Sequence, residues 1–152
     1  IIRIRPFFVV GPRKGADVCS DFARGIAEIE AGQRDSLSLG NLEAVRDFVD
    51  VRDTVRAMWL LAEKGAPGKV YNICSGQGYQ IKDILDKFLS LSSQPIEVHH
   101  DPNLMRPADE PVIIGDNAKL CGLGWKQQIP IERTLSDILD YWRRRTRLTV
   151  GA

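Results

Sequence analysis

The stretch Leu39-Gly40-Asn41-Leu42-Glu43-Ala44-Val45-Arg46-Asp47-Phe48-Val49-Asp50-Val51-Arg52-Asp53 decides how this sequence is read. Leu37 and Leu39 alternate with serines ahead of the Gly40-Asn41 turn, which predicts a short strand. Ala44 to Val49 reads as a second strand, and Asp50 then caps a helix without an intervening loop. Val51, Val55, Met58 and Trp59, with Leu61 or Ala62, recur at helical spacing and predict the inner face of that helix; Gly65 closes it. A strand that runs directly into a helix belongs to α/β architecture.

Working outward, the same alternation continues. Upstream, Ile2, Ile4 and Phe7 to Val10 form a first strand, with Pro6 marking an edge or a bend. Gly11 to Gly15 is a loop. Asp17 or Ser20 caps a helix carrying Phe22, Ile26 and Ile29, which ends near Gly32. Downstream, Val70 to Ile73 is a strand followed by the Ser75-Gly76-Gln77-Gly78 turn, and Ile81, Ile84, Leu85, Phe88 and Leu89 define an amphipathic helix. Ile96 to Val98 is a short strand. Asp101 to Pro111, with three prolines, is an irregular loop. Val112 to Ile114 is a strand, Asn117 to Leu123 a short helix, and Pro130 precedes a last helix from Ile131 to about Arg145 with Leu135, Ile138, Leu139 and Trp142 facing inward. The class is α/β, in one domain spanning 1–152. Long, wholly apolar strands are too few for a complete parallel sheet. The opening on Ile1-Ile2-Arg3-Ile4 reads as the middle of a strand, so a chain cut from a longer one is expected.

Composition narrows the function. An apolar fraction of 43% predicts a folded chain, and a net charge of +1 gives no sign of a nucleic-acid or membrane partner. A basic site must be local. No run of about 18 apolar residues occurs, so no membrane span is expected. Cys19, Cys74 and Cys121 are widely spaced without a CxxC pair, which argues against a disulfide framework or a zinc site and fits a reducing cytoplasm; each is expected to be a small buried hydrophobe. His99 and His100 are adjacent, would point to opposite sides of a strand, and make no metal pair. The three tryptophans, Trp59, Trp125 and Trp142, are expected to pack inside. Asp50 to Asp53 is expected to be a helix start with a cap and surface charges. No glycine-rich dinucleotide fingerprint is present: Gly76-Gln77-Gly78 stands between a strand and a helix but lacks the third glycine, and reads as a tight turn.

Several ordered segments carry a resemblance. Arg5-Pro6-Phe7 with Gly11-Pro12-Arg13 resembles an "RPFN-x-x-GP" segment, and Asp21 to Glu30 the helix after it. Leu39 to Asp53 resembles "GNLEAVRDFTDVRD", and Val70 to Gly76 resembles "VYNVCSG". Arg106-Pro107-Ala108-Asp109 resembles "RPSE" or "RPAE", and Leu123-Gly124-Trp125-Lys126 resembles "LGWKP". Together they resemble the extended short-chain dehydrogenase/reductase family, nearest to its branches that reduce or dehydrate GDP-linked mannose derivatives. The resemblance implies the C-terminal, substrate-binding part of an extended Rossmann-type, NAD-dependent epimerase/dehydratase fold, with the N-terminal cofactor-binding half absent. The Tyr-x-x-x-Lys core of the family lies outside these residues, so no catalytic, cofactor or metal residue is assigned here. NADP(H) or NAD(H) is expected only for a full-length parent.

The resemblance also implies a substrate site. Arg46 and Arg106 occupy positions that meet the diphosphate of a nucleotide sugar, where guanidinium forks suit two negative charges. Read from the residues alone, Arg46 would pair with Glu43 or Asp47 at the surface. Asp109 stands where a Glu accepts from ribose hydroxyls, or else caps its own loop. Leu39 and Asn41 would border the base, although Asn41 also suits its turn. Lys14 and Arg24 are lesser candidates, equally explained as solvated charges. One departure stands out: the family's Asn after "RPF" is Phe8 here, and its following His is Val9. Two readings result. One is the GDP-sugar-binding half of an oxidoreductase that makes GDP-6-deoxyhexoses and is inactive alone. The other is a stand-alone module that binds a nucleotide sugar or docks on a separate cofactor-binding chain, with an exposed sheet edge favouring pairing or self-association.

Overall fold

A computed structural model describes residues 1–104 and 110–150, without the side chains of the last two. Arg106 and Asp109 therefore lie outside the described residues.

The first strand is two strands. β1 (Arg3–Pro6) pairs in parallel with β6 (Val70–Ile73), and β2 (Phe8–Val10) pairs in parallel with β5 (Phe48–Asp50). Pro6 has no N–H, and the Val9 N–H bends back to the Phe7 carbonyl at 2.8 Å, so the chain breaks and changes partner here. The predicted strand over 44–49 is likewise divided, into β4 (Val45–Arg46) and β5, with Asp47 at the break. β3 (Ser36–Leu39) pairs in parallel with β8 (Glu97–His100). β4 lies between an antiparallel β7 (Tyr79–Gln80), which the pattern did not foretell, and a parallel β9 (Val112–Ile113). Sheets of two and three strands match the expected shortfall of a full parallel sheet.

Among the described residues five α-helices surround these strands. α1 (Val18–Glu30) is capped by Asp17, whose Oδ1 accepts from the Ser20 N–H at 2.7 Å. α3 (Ile81–Ser90) and α5 (Ile131–Val150) complete a layer in which Phe22, Ile26, Ile84, Phe88, Leu135, Ile138 and Leu139 form the main core with Leu37 and Phe48. Phe22 and Phe88 meet edge to face with centroids 6.3 Å apart. α2 (Val51–Lys64) and α4 (Ala118–Cys121) enclose a second cluster of Val49, Ala57, Leu61, Tyr71, Ile73, Leu120 and Trp125.

α2 has the predicted span and the Asp50 cap, and Leu61 faces inward as expected, but the rest of the predicted inner face is turned out. Asp53, Thr54, Ala57 and Leu61 are buried, whereas Val51, Val55, Met58 and Trp59 are exposed, Trp59 to 70%. The cause is Asp53. Its carboxylate accepts from the Gln128 and Ile129 N–H groups at 3.1 and 3.0 Å and pairs with Arg56, so burying it inward turns the apolar stripe out. Asp53 is therefore no surface charge, and Trp59 is not a packing residue: its Nε1 donates to Glu63 at 2.8 Å on the outer face. Trp125 is buried as expected and Trp142 packs on the main core. Cys19 and Cys74 are buried; Cys121 is exposed, against expectation, because α4 is only one turn and leaves it outside. Burial pushes the Cys74 thiol up to about 12, with the neighbouring Asp47 adding to the shift.

Candidate functional site

Arg46 sits at the centre of the three-stranded sheet, opposite Tyr79 on β7 and Ile113 on β9. It is 5% exposed, so it does not stand at the surface as its neighbours suggested. Its Nη1 donates to the Val45 carbonyl at 2.8 Å, and its guanidinium lies over the Phe8 ring at 5.5 Å from the centroid. Phe8 in turn meets Phe48 edge to face at 6.0 Å. A cleft of about 280 Å³ is lined by Pro6, Phe7, Phe8 and Ile113, two of which, Phe8 and Ile113, are the ring beneath this arginine and its partner on β9. A larger open hollow of about 570 Å³ lies between Gln77 and Ser90, but Asp83 and Asp86 outnumber Lys87 on its wall and disfavour an anion.

The carboxylate next in sequence builds the frame. Asp47 is fully buried, and one oxygen accepts from the Ser75 N–H at 2.8 Å and the Ser75 hydroxyl at 2.6 Å. The other accepts from the Gly76 N–H at 2.9 Å and the Gly115 N–H at 3.1 Å. One side chain thereby ties the β4–β5 break to the turn after β6 and the loop after β9. Gly76 takes a left-handed φ of 77°, which suits glycine and aims its N–H inward. This arrangement also tests the one turn that resembled a phosphate loop. The Ser75 and Gly76 N–H groups are already given to a carboxylate of the same chain, so the turn does not fit a dinucleotide pyrophosphate.

Asp50 anchors the next step. It accepts from the Arg52 N–H at 2.7 Å, the Arg52 guanidinium at 2.9 and 2.8 Å, and the Thr134 hydroxyl at 2.7 Å. Burial works to raise the Asp50 carboxyl, but the Arg52 and Thr134 hydrogen bonds outweigh it and hold the group below the usual carboxylate range.

The other predicted residues are distributed unevenly. Leu39 ends β3 and its carbonyl accepts from the Asp101 N–H at 2.8 Å. Gly40 lets the turn press on Leu104, since a Cβ there would stand 2.5 Å from the Leu104 carbonyl oxygen. The Asn41 Oδ1 accepts from the Glu43 N–H at 2.9 Å, the local turn its sequence suggested, and Glu43 receives the Gln80 amide at 2.8 Å. Leu39 and Asn41 thus lead directly into the strand that carries Arg46. Lys14 folds over the end of β2, with Nζ 2.7 Å from the Val9 carbonyl and 3.2 Å from Asp17. Arg24 is engaged on the helices instead, with Asp21 at 2.8 Å, Glu28 at 3.9 Å and the Trp142 ring at 5.6 Å. Phe8, Ile113 and Asp47 were not among the predicted site residues; the Phe8 departure was the available signal for the first. Among the described residues no cluster of His, Cys, Asp and Glu could hold a metal ion, and no helix is long and apolar enough to cross a membrane.

Comparison with known proteins gives one consistent result. The family model for GDP-mannose 4,6 dehydratase matches residues 1–138. GDP-6-deoxy-D-mannose reductase of Pseudomonas aeruginosa is 35% identical over 150 residues, which is 97% of this chain and 49% of that protein. GDP-mannose 4,6 dehydratase 2 of Arabidopsis thaliana is 32% identical over 134 residues, covering 85% of this chain and 35% of that one. The solved structure of RMD from Pseudomonas aeruginosa complexed with NADPH superposes with a TM-score of 0.88 at 34% identity, covering 95% of this chain and 48% of that one. The chain spans half or less of the length of these relatives, and it has the fold of part of a Rossmann-type epimerase/dehydratase. By the match over residues 1–138 and the 35% identity to a GDP-sugar reductase, this chain belongs to the GDP-mannose 4,6-dehydratase family.

Proposed function

We propose that this chain is the nucleotide-sugar-binding half of an NAD(P)-dependent reductase or dehydratase acting on GDP-hexoses, and that it has no turnover alone. The observation that carries the reading is the placement of Arg46, a buried arginine at the centre of its sheet whose guanidinium lies over Phe8, a wall of the cleft. Arg46 and Arg106 would grip the diphosphate, with Lys14 nearby on the β2–α1 loop. Leu39 would cover a face of the base and Asn41 its edge, while Asp109 would accept from the ribose. Arg24, held on α1 and α5, is the weakest member of the set. In this mechanism the chain's residues bind and orient the sugar. NADP(H) or NAD(H), bound by a cofactor-binding half, supplies the hydride chemistry.

A second reading, a module that docks on a separate cofactor-binding chain or on itself, draws on specific surfaces. All four residues of β1 are exposed although parallel strands are ordinarily covered on both faces, and α2 presents Val51, Val55, Met58 and Trp59 outward. Those surfaces suit a cofactor-binding half on the same chain or on another. The free cysteines fit a reducing compartment such as the cytoplasm.

Calorimetric titration with GDP, with UDP and dTDP as controls, tests the binding role. GDP is expected to bind selectively, and Arg46→Ala or Arg106→Ala to weaken it by about 10- to 100-fold, the loss of a charge-assisted hydrogen bond. Equal binding of all three nucleotides, or of none, would sink the reading. Turnover by the purified chain with NADPH would refute its dependence on a second half.

A further inference from the structure

We propose that Phe8 is a positioning residue for Arg46, fixing the guanidinium by its ring and thereby setting how the anion is met. The inference rests on the reading that Arg46 contacts a diphosphate. Three observations carry it. The guanidinium carbon lies 5.5 Å from the Phe8 centroid, inside the range of about 6 Å over which a ring face attracts a cation. The ring is itself held: it meets Phe48 edge to face at 6.0 Å, and Phe48 is 1% exposed in the main core. Finally, Phe8 begins β2 immediately after the strand break, where its N–H donates to the Asp47 carbonyl at 3.2 Å, so the backbone of the residue following Arg46 fixes the ring's own backbone.

A flexible arginine loses rotamer freedom when it grips a phosphate, and a prior restraint removes that loss from the binding step. Phe48, Phe8 and Arg46 form a column that starts in the core and in which Phe8 lines the cleft, so the charge is carried on a support with few degrees of freedom. The ring has a second consequence. With Pro6, Phe7 and Ile113 it gives the cleft an apolar wall, with the Arg46 guanidinium over the Phe8 ring. A ligand entering there meets its hydrogen-bonding partner at the arginine and not at residue 8, so selectivity falls on the charged part of the ligand.

The test is a comparison of GDP and guanosine binding by the full chain, in wild type and in Phe8→Leu, Phe8→Tyr and Arg46→Ala. Phe8→Leu keeps an apolar side chain and removes the ring face. It is expected to weaken GDP by about two- to tenfold, to leave guanosine unchanged, and to be rescued by Phe8→Tyr. Proton NMR of the Arg46 side chain supplies a readout independent of ligand: its Hδ and Hε resonances should carry an upfield ring-current shift in wild type that Phe8→Leu abolishes and Phe8→Tyr keeps. Equal loss of GDP and guanosine would mean that residue 8 merely supports the fold, and overturns the proposal. A GDP affinity untouched by Phe8→Leu but lowered by Arg46→Ala overturns the positioning role and leaves the binding reading standing. No GDP binding, or binding that survives Arg46→Ala, removes the binding reading and this inference with it.

Discussion

Replacing Asp47 by Asn keeps the volume of the side chain and changes one acceptor oxygen into a donor. In the wild type the two oxygens receive four donors between them, two from Ser75 and one each from Gly76 and Gly115. With the Asn oxygen toward Gly76 and Gly115, the NH2 faces Ser75, whose hydroxyl can turn to accept from it, so the Ser75 N–H alone is left opposite a donor. Losing one hydrogen bond to a charged group costs about 1.5–3 kcal/mol, and the remaining bonds weaken with the charge gone. Relief from burying a charge offsets part of this, which leaves an expected loss of about 2 kcal/mol. Set against a total stability of about 5–15 kcal/mol, that is a large share. Urea unfolding followed by far-ultraviolet circular dichroism measures it as a lower midpoint with an unchanged slope. Ser75→Ala is the control: it deletes only the hydroxyl bond of 2.6 Å and should cost about 1 kcal/mol. If Asp47→Asn costs less than about 1 kcal/mol by the same measure, the carboxylate does not hold the three segments together and the frame around Arg46 has been misread.

Other perturbations read different parts of the structure. The Arg143 guanidinium grips Glu30 at 2.7 Å through two nitrogens and holds its carboxyl at about 2, below an unfolded value near 4.5. A depressed carboxyl contributes stability that is present above the unfolded value and lost as the pH falls toward 2, so Arg143→Met should flatten the decline of stability between pH 4.5 and 2, measured by unfolding at each pH. Trp59→Ser on the exposed face of α2 should change stability by no more than about 0.5 kcal/mol. Trp125→Ala, at 5% exposure in the second cluster, should cost about 3–5 kcal/mol by chemical denaturation; similar costs at the two sites would restore the inward-facing stripe that the periodicity suggests.

The sequence made the helices legible and the sheet only in outline. The core faces of α1, α3 and α5 follow from their spacing because each meets an apolar layer, and Asp17 and Asp50 cap where the cap pattern places them. β7 has two residues and owes its existence to the strand beside it, so no local pattern announced it. The breaks at Phe7 and Asp47 are changes of partner, which a run of apolar residues conceals. The resemblance led to Arg46 as a candidate binding residue, yet its burial and the ring beneath it come from the tertiary structure alone.

The three aspartates of the deciding stretch explain why the rest was not legible. Asp47 and Asp53 look like charges for the surface and Asp50 like a helix cap, and all three are buried, at 0, 2 and 0% exposure. Besides the nearby Arg52 and Arg56, their partners are backbone N–H groups and hydroxyls at Ser75, Gly76, Gly115, Gln128, Ile129 and Thr134, far along the chain. A backbone donor leaves no mark in composition or periodicity, because every residue but proline carries one. The reversal of α2 has the same origin. Its spacing fixes a helix but not a phase, since a stripe at 51, 55, 58 and 59 with 61 or 62 and a stripe at 53, 54, 57 and 61 are equally helical, sharing Leu61. Hydrophobicity alone selects the first stripe. The second wins because Asp53 brings its acceptors to Gln128 and Ile129, and Trp125 donates to its carbonyl at 3.3 Å, closing α2 onto the segment before α5. Exposing Trp59 is then the cost of satisfying Asp53, a cost that falls to nothing wherever another surface covers the outer stripe.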